Sequence, residues 1–182
     1  MKFLHQLHKI ANWKLVLILC ITTTILASCL VTICFGRLNL NPDAAMDSMT
    51  YYTAETFYQN IEIQGESGRT AYLRLHLIDY LFITQFYPLC VLIMYLLLLK
   101  LRTSRKLALL ALLPLFSALM DLLENISIDV SILLHPARIA VLGRVVGIFT
   151  FLKMHSIYLF FGLTVLLAVV IPIKALRAKY SE

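Results

Sequence analysis

The sequence predicts an all-α fold, a bundle of four transmembrane helices with an extracytoplasmic amphipathic helix between the first and second. Three observations point there. Of the 182 residues, 60% are hydrophobic and only 14% charged, with a mean hydropathy of +0.84. A soluble domain carries about 25% charge and 45–50% apolar residues, so a water-soluble globular protein is excluded. Four apolar runs, about 13–35, 77–99, 107–128 and 146–173, each reach the ~20 residues needed to cross a hydrocarbon core. Finally, charge is distributed by side. Ten lysines and arginines (Lys2, Lys9, Lys14, Lys100, Arg102, Arg105, Lys106, Lys174, Arg177 and Lys179) flank the runs at one end with a single acid, Glu182. The segment 37–76 instead holds Asp43, Asp47, Glu55, Glu62 and Glu66 against three arginines. The positive-inside rule then places both termini and the second-to-third link in the cytoplasm of, on size and topology, a bacterial inner membrane. The net charge of +6 reads as a topology signal, helped by anionic lipid, and not as a nucleic-acid footprint.

Backbone in lipid must satisfy its own hydrogen bonds, and these runs are too long and too uniformly apolar for barrel strands, so they are helices of one integral membrane domain, 1–182. In the first, Leu26-Ala27-Ser28-Cys29 has the form of a bacterial lipoprotein cleavage box. The apolar run continues past it through Leu30 to Phe35, as an intact membrane helix would. Cys20, Cys29, Cys34 and Cys90 all fall within spans without C-x-x-C spacing, which suits small buried hydrophobes better than a redox site.

Between the first two spans, Asn41-Pro42-Asp43 marks a turn. From about Ala44 to Asn60, Met46, Met49, Thr53, Phe57 and Asn60 share one helical face, with Tyr51, Tyr52 and Tyr58 suited to a lipid–water boundary. Gly65-Glu66-Ser67-Gly68 breaks the pattern, and Ser67 or Thr70 is placed to cap a long helix running to Leu101. Pro114 is expected to kink the third span, and Asp129 to Arg144 to form a loop broken at His135-Pro136.

The informative residues are ionisable groups inside these apolar runs. The third span carries Asp121, Glu124 and Asn125 on one face, with Ser117 a turn inward. His76, Asp79, Tyr80, Thr84 and Tyr87 lie near one face of the second span, and the fourth carries Thr150, Lys153, His155 and Ser156. Measured from the basic anchors, Asp121 stands about 22 Å along its helix, Glu124 about 27 Å, and Asp79 and Lys153 about 31 Å each. Three helices thus deliver charge to the same outer third of a ~30 Å core. A lone charge there costs about 2.5–3.5 kcal/mol, so mutual pairing is expected: Lys153, with Arg69 or Arg74 above it, facing Asp121, Glu124 and Asp79 around a small outward-facing pocket. With more buried acids than bases, one carboxyl is expected to hold a proton, fit for acid–base or proton-relay work. The bland alternative is an ion-pair network that only locks the helices.

Other chemistries have less support. Asp79 and Asp121 lack an aspartyl-hydrolase motif; His76, His155, Asp79 and Glu124 lack a recognisable zinc spacing; Ser117 and Ser156 lie in no nucleophile motif. No metal or cofactor is expected. The anticipated partners are membrane lipids, a small polar or lipid-like ligand, and a second copy or a larger membrane complex. A membrane-embedded enzyme acting on a lipid or isoprenoid at the outer leaflet remains the alternative.

Gly68-Arg69 with Tyr72 and Asp79, and Pro114 followed by Asp121-Leu122-Leu123-Glu124-Asn125, carry a resemblance. From about residue 42 to 165 the chain resembles small prokaryotic four-helix integral membrane proteins that share a G-R-x-x-Y…D stretch entering the second span and D-x-x-E-N in the third. Lys153 resembles the lysine of their fourth helix. The resemblance implies the topology and a site at Arg69, Tyr72, Asp79, Tyr87, Asp121, Glu124, Asn125 and Lys153, and implies no reaction.

Overall fold

A computed structural model describes residues 2–36, 46, 49–101 and 104–180. The turn at Asn41-Pro42-Asp43 and the helix start at Ala44 lie outside the described residues, as do Arg37, Asp47, Arg102 and Glu182. The regular elements described are helices: α1 Lys2–Ile10, α2 Trp13–Gly36, α3 Ala54–Ile63, α4 Gly65–Lys100, α5 Arg105–Ala108, a 3-10 turn Leu109–Leu112, α6 Leu113–Leu133 and α7 Ala140–Tyr180. Four segments are long and apolar enough to cross a membrane: Trp13–Ile33, Gly65–Lys100, Lys106–Leu133 and Ala140–Arg177. The protein is therefore an integral, multi-pass helical membrane protein.

Helix α4 is the centre of the arrangement, packing against α2, α6 and α7, while α6 and α7 lie along one another and α3 sits on α7. At 36 residues, α4 is about 54 Å long, well beyond a ~30 Å hydrocarbon core. It begins earlier than the expected caps allow. Gly65 takes φ +65°, a left-handed conformation that glycine adopts without steric cost, and so reverses the chain directly from α3 into α4. Ser67 and Thr70 lie inside the helix and cap nothing.

Three further expectations shift. The helix between the first two spans begins at Ala54, because Thr53, itself extended, accepts the Thr56 amide on its side chain as an N-cap; residues 49–53 are irregular and include a bend at residue 50. Pro114 sits in the first turn of α6, where its missing N–H costs no helical bond, and there it starts a helix after the 3-10 turn instead of kinking one. Asp129 belongs to α6, which runs to Leu133, and Arg144 belongs to α7, which starts at Ala140; the connecting loop is short and contains a cis His135-Pro136 bond.

Two apolar clusters fill the interior. One, towards the basic end, gathers Ile83 to Leu98 of α4 with Leu7, Val16, Ala111, Ile157 and Phe160. The other joins Met46, Tyr52, Phe57, Tyr58 and Ile61 to Tyr72 and Leu75 of α4, Ile128 and Ile132 of α6, and Val146 of α7. Between them lies a layer of polar side chains.

Candidate functional site

Helices α4 and α6 run antiparallel, as do α6 and α7, so side chains three or four apart on one meet partners at descending positions on the next. Starting from the basic side, the Ser117 and Ser156 hydroxyls stand 2.7 Å apart. Ser156 also donates to the Leu152 carbonyl at 2.7 Å, which uses its single proton and makes Ser117 the donor between them. One turn on, the Tyr87 hydroxyl donates to Asp121 Oδ2 at 2.8 Å, and Lys153 Nζ reaches Asp121 Oδ1 at 3.2 Å. Lys153 also forms a close ion pair with Glu124 Oε2. Glu124 Oε1 accepts from the Thr150 hydroxyl at 2.6 Å and the Tyr52 hydroxyl at 3.3 Å. Next, Asn125 Nδ2 donates to Asp79 Oδ2 at 2.6 Å. Last, Asp129 takes His76 Nδ1 on one oxygen at 2.5 Å and the Tyr80 hydroxyl on the other at 2.7 Å.

These contacts form a ladder. From Ser117 to Asp129 it follows α6 for about 18 Å. Glu124, Asn125, Ser117 and Thr150 are fully buried, and Asp121 and Lys153 are 8% and 7% exposed. An ammonium held between two carboxylates is the arrangement that lets charge persist in such surroundings, because each ion's lost hydration is replaced by a fixed partner and hydroxyl donors take the remaining lone pairs.

The short segment before α3 completes the ladder from above. Tyr52 reaches Glu124 because its chain lies directly on α7. A Cβ added at Gly147 would come within 2.1 Å of the Tyr52 carbonyl oxygen, and one at Gly143 within 3.0 Å of Ala54 Cβ. Two glycines one turn apart thus make a backbone-wide channel in α7 for residues 51–54. Tyr58 fastens it, its hydroxyl donating to the Ile139 carbonyl at 2.9 Å and accepting the Ile139 amide at 2.8 Å. Farther out, Arg138 pairs with Glu62, and that guanidinium, mainly through its hydrogen bond, holds the exposed Glu62 carboxyl below the usual carboxylate range.

Of the eight residues singled out from sequence, Asp79, Tyr87, Asp121, Glu124, Asn125 and Lys153 take part in the ladder. Tyr72 is placed apart: its hydroxyl accepts the Met46 amide at 2.8 Å and its ring meets His76 edge-on. Arg69 donates to the Ile61 carbonyl at 3.4 Å, closing the end of α3 against α4. Thr84 and His155 are exposed and bond to carbonyls of their own helices. Tyr52, Asp129 and Gly147 are the site residues that span and motif reading did not gather; that reading places His76 on the right face but without its partner Asp129. For Asp129 a signal existed, since it stands four residues beyond Asn125 on the same helical face. Among the described residues, no three His, Cys, Asp or Glu side chains gather as a metal site.

No protein-family model, curated protein or solved structure matches this chain.

Proposed function

We propose that the buried ladder relays a proton, or a small cation of like charge, between its two ends, with the basic end of the bundle in the cytoplasm of a bacterial inner membrane. One observation carries this reading. Asp121 and Glu124 both contact the single ammonium of Lys153, and Asp79 accepts from Asn125, the residue after Glu124, in one row of polar side chains along α6. Two buried carboxyls, Asp121 and Glu124, against one cation leave one negative charge in excess, which a low-dielectric interior accepts at least cost with a proton or cation bound. Hydroxyls of Tyr87, Thr150 and Tyr52 lie within hydrogen-bond distance of those carboxyls, as transfer requires. The groups touch directly, which favours a proton over a bulkier polar or lipid-like ligand. In this reading the residues of the D-x-x-E-N stretch are the working centre, as the likeness to small four-helix membrane proteins suggests.

The test is reconstitution of the full chain into vesicles containing a trapped pH indicator, with a potassium-diffusion potential applied. The wild type is expected to acidify or alkalise the lumen in step with the sign of the potential, and Glu124→Gln to abolish this. Wild-type vesicles that respond no faster than protein-free ones overturn the proposal.

A second reading has one observation in its favour. Lys153 is already matched by two carboxylates in direct contact, as a structural clasp would be. On that reading Glu124→Gln lowers the thermal midpoint in detergent and the wild type carries no flux.

A further inference from the structure

At the opposite end from the cap, α1, the start of α2 and the end of α4 meet in one corner. Helix α1 packs inward through Leu7, which is 5% exposed and joins the core beside Val16 and Tyr95. Its His8 Nδ1 lies 3.3 Å from the Tyr95 hydroxyl, one and a half turns before the end of α4. The chain then turns at Ala11-Asn12 into α2, and the Trp13 ring lies 5.2 Å beneath Lys100 Nζ. Lys100 lies over that indole, itself 47% exposed; Lys14 follows Trp13 in the chain, and Lys9 lies in the last turn of α1. All three lysines are exposed, and no acidic side chain is described at this end of the bundle. The lysines consequently have no counter-charge within the described chain there.

We infer that this corner is a seat for an anionic phospholipid: the phosphate lies between Lys14 and Lys100, and the indole of Trp13 packs at the boundary between glycerol and acyl chain. The chemistry is complementary at each level. Indole rings favour the headgroup boundary, lysine stems lie along apolar surface while the ammonium stays in the polar zone, and an anionic headgroup supplies the charge that the protein lacks. The occupant is a membrane lipid and not free phosphate, because the half-exposed indole offers an apolar surface that only an acyl-bearing molecule covers. The seat differs from the diffuse attraction of any basic end, because it is built where three helices meet. Lys174 and Lys179, by contrast, ride on the exposed last turns of α7. This inference is independent of whether the ladder carries protons.

Trp13 is the only tryptophan in the chain and reports on the seat directly. The full-length protein is reconstituted in phosphatidylcholine vesicles containing a small fraction of phosphatidylglycerol or phosphatidylcholine spin-labelled just below the headgroup, and quenching of Trp13 is compared. The phosphatidylglycerol probe is expected to quench at about fivefold lower mole fraction. Lys14→Gln with Lys100→Gln should remove that preference, while Lys174→Gln with Lys179→Gln should change it less than about twofold. Equal quenching by the two probes in the wild type overturns the seat, whatever the variants do. Equal losses in the two variant pairs also overturn it, in favour of a diffuse field.

Discussion

Hydroxyl side chains stud both α2 and the facing parts of α6 and α7, yet they do different things in the two places. In α2 two of them turn back on their own helix, Thr24 donating to Cys20 O at 2.8 Å and Thr32 to Ser28 O at 2.8 Å, while the buried Thr23 hydroxyl has no partner among the described residues. Thr22 alone crosses, to Gln85 Oε1 at 3.0 Å, and it bonds its own carbonyls too. Between α6 and α7, Ser117 crosses to a hydroxyl and Thr150 to a carboxylate, though Thr150 also reaches its own Val146 carbonyl at 3.0 Å, and Ser127, Ser131 and Ser156 turn back on their own helices. Residue type and helical spacing are the same. The difference is the company: α2 packs mainly on α4 and presents most of its surface outward, whereas α6 and α7 face each other along a row containing Asp121, Glu124 and Lys153. A hydroxyl in lipid satisfies itself locally unless a stronger acceptor stands opposite.

The contrast is broken most severely at its charged centre. Lys153→Met leaves Asp121 and Glu124 buried without their cation, and the expected loss is about 3–5 kcal/mol, read as unfolding in graded SDS; adding Glu124→Gln should recover part of it. A smaller effect sharpens the comparison itself. Ser117→Ala removes a buried bond between helices and should cost about 1 kcal/mol, while Thr24→Val, on a hydroxyl that serves only its own helix, should stay within about 0.5 kcal/mol in the same assay. The smallest effect belongs to the exposed pair of Arg138 and Glu62. Because Glu62 is held below 4.5 in the folded protein, its contribution is complete above that value and is lost as pH falls through the folded pKa. Arg138→Gln should therefore flatten the acid side of α3 stability, measured by hydrogen exchange of residues 54–63, and leave the neutral side unchanged.

Much of this arrangement was legible in the chain. The four spans follow from hydropathy, and counting residues back to the basic ends puts Asp121, Glu124 and Lys153, which meet in the structure, at similar depths, with Asp79 bonded to Asn125 beside them. Asp129 was misplaced for a physical reason. A carboxylate ends an apolar run when read alone, but His76 and Tyr80 on another helix supply its hydrogen bonds and let α6 continue past it. Pro114 was misread because its effect depends on whether a helix has already begun. Tyr52 was not legible at all. Its reach to Glu124 depends on how closely residues 51–54 lie on α7, and that depends on two glycines whose role is to be small.

The channel at Gly147 has a practical bearing on how this protein should be dissected. Substitution scans locate important positions by deleting atoms, and at this position the informative change adds one. A single methyl there displaces the Tyr52 carbonyl and lifts its phenol away from the carboxylate beneath, so the mildest replacement in the scan would disconnect the cap without touching any group that carries charge.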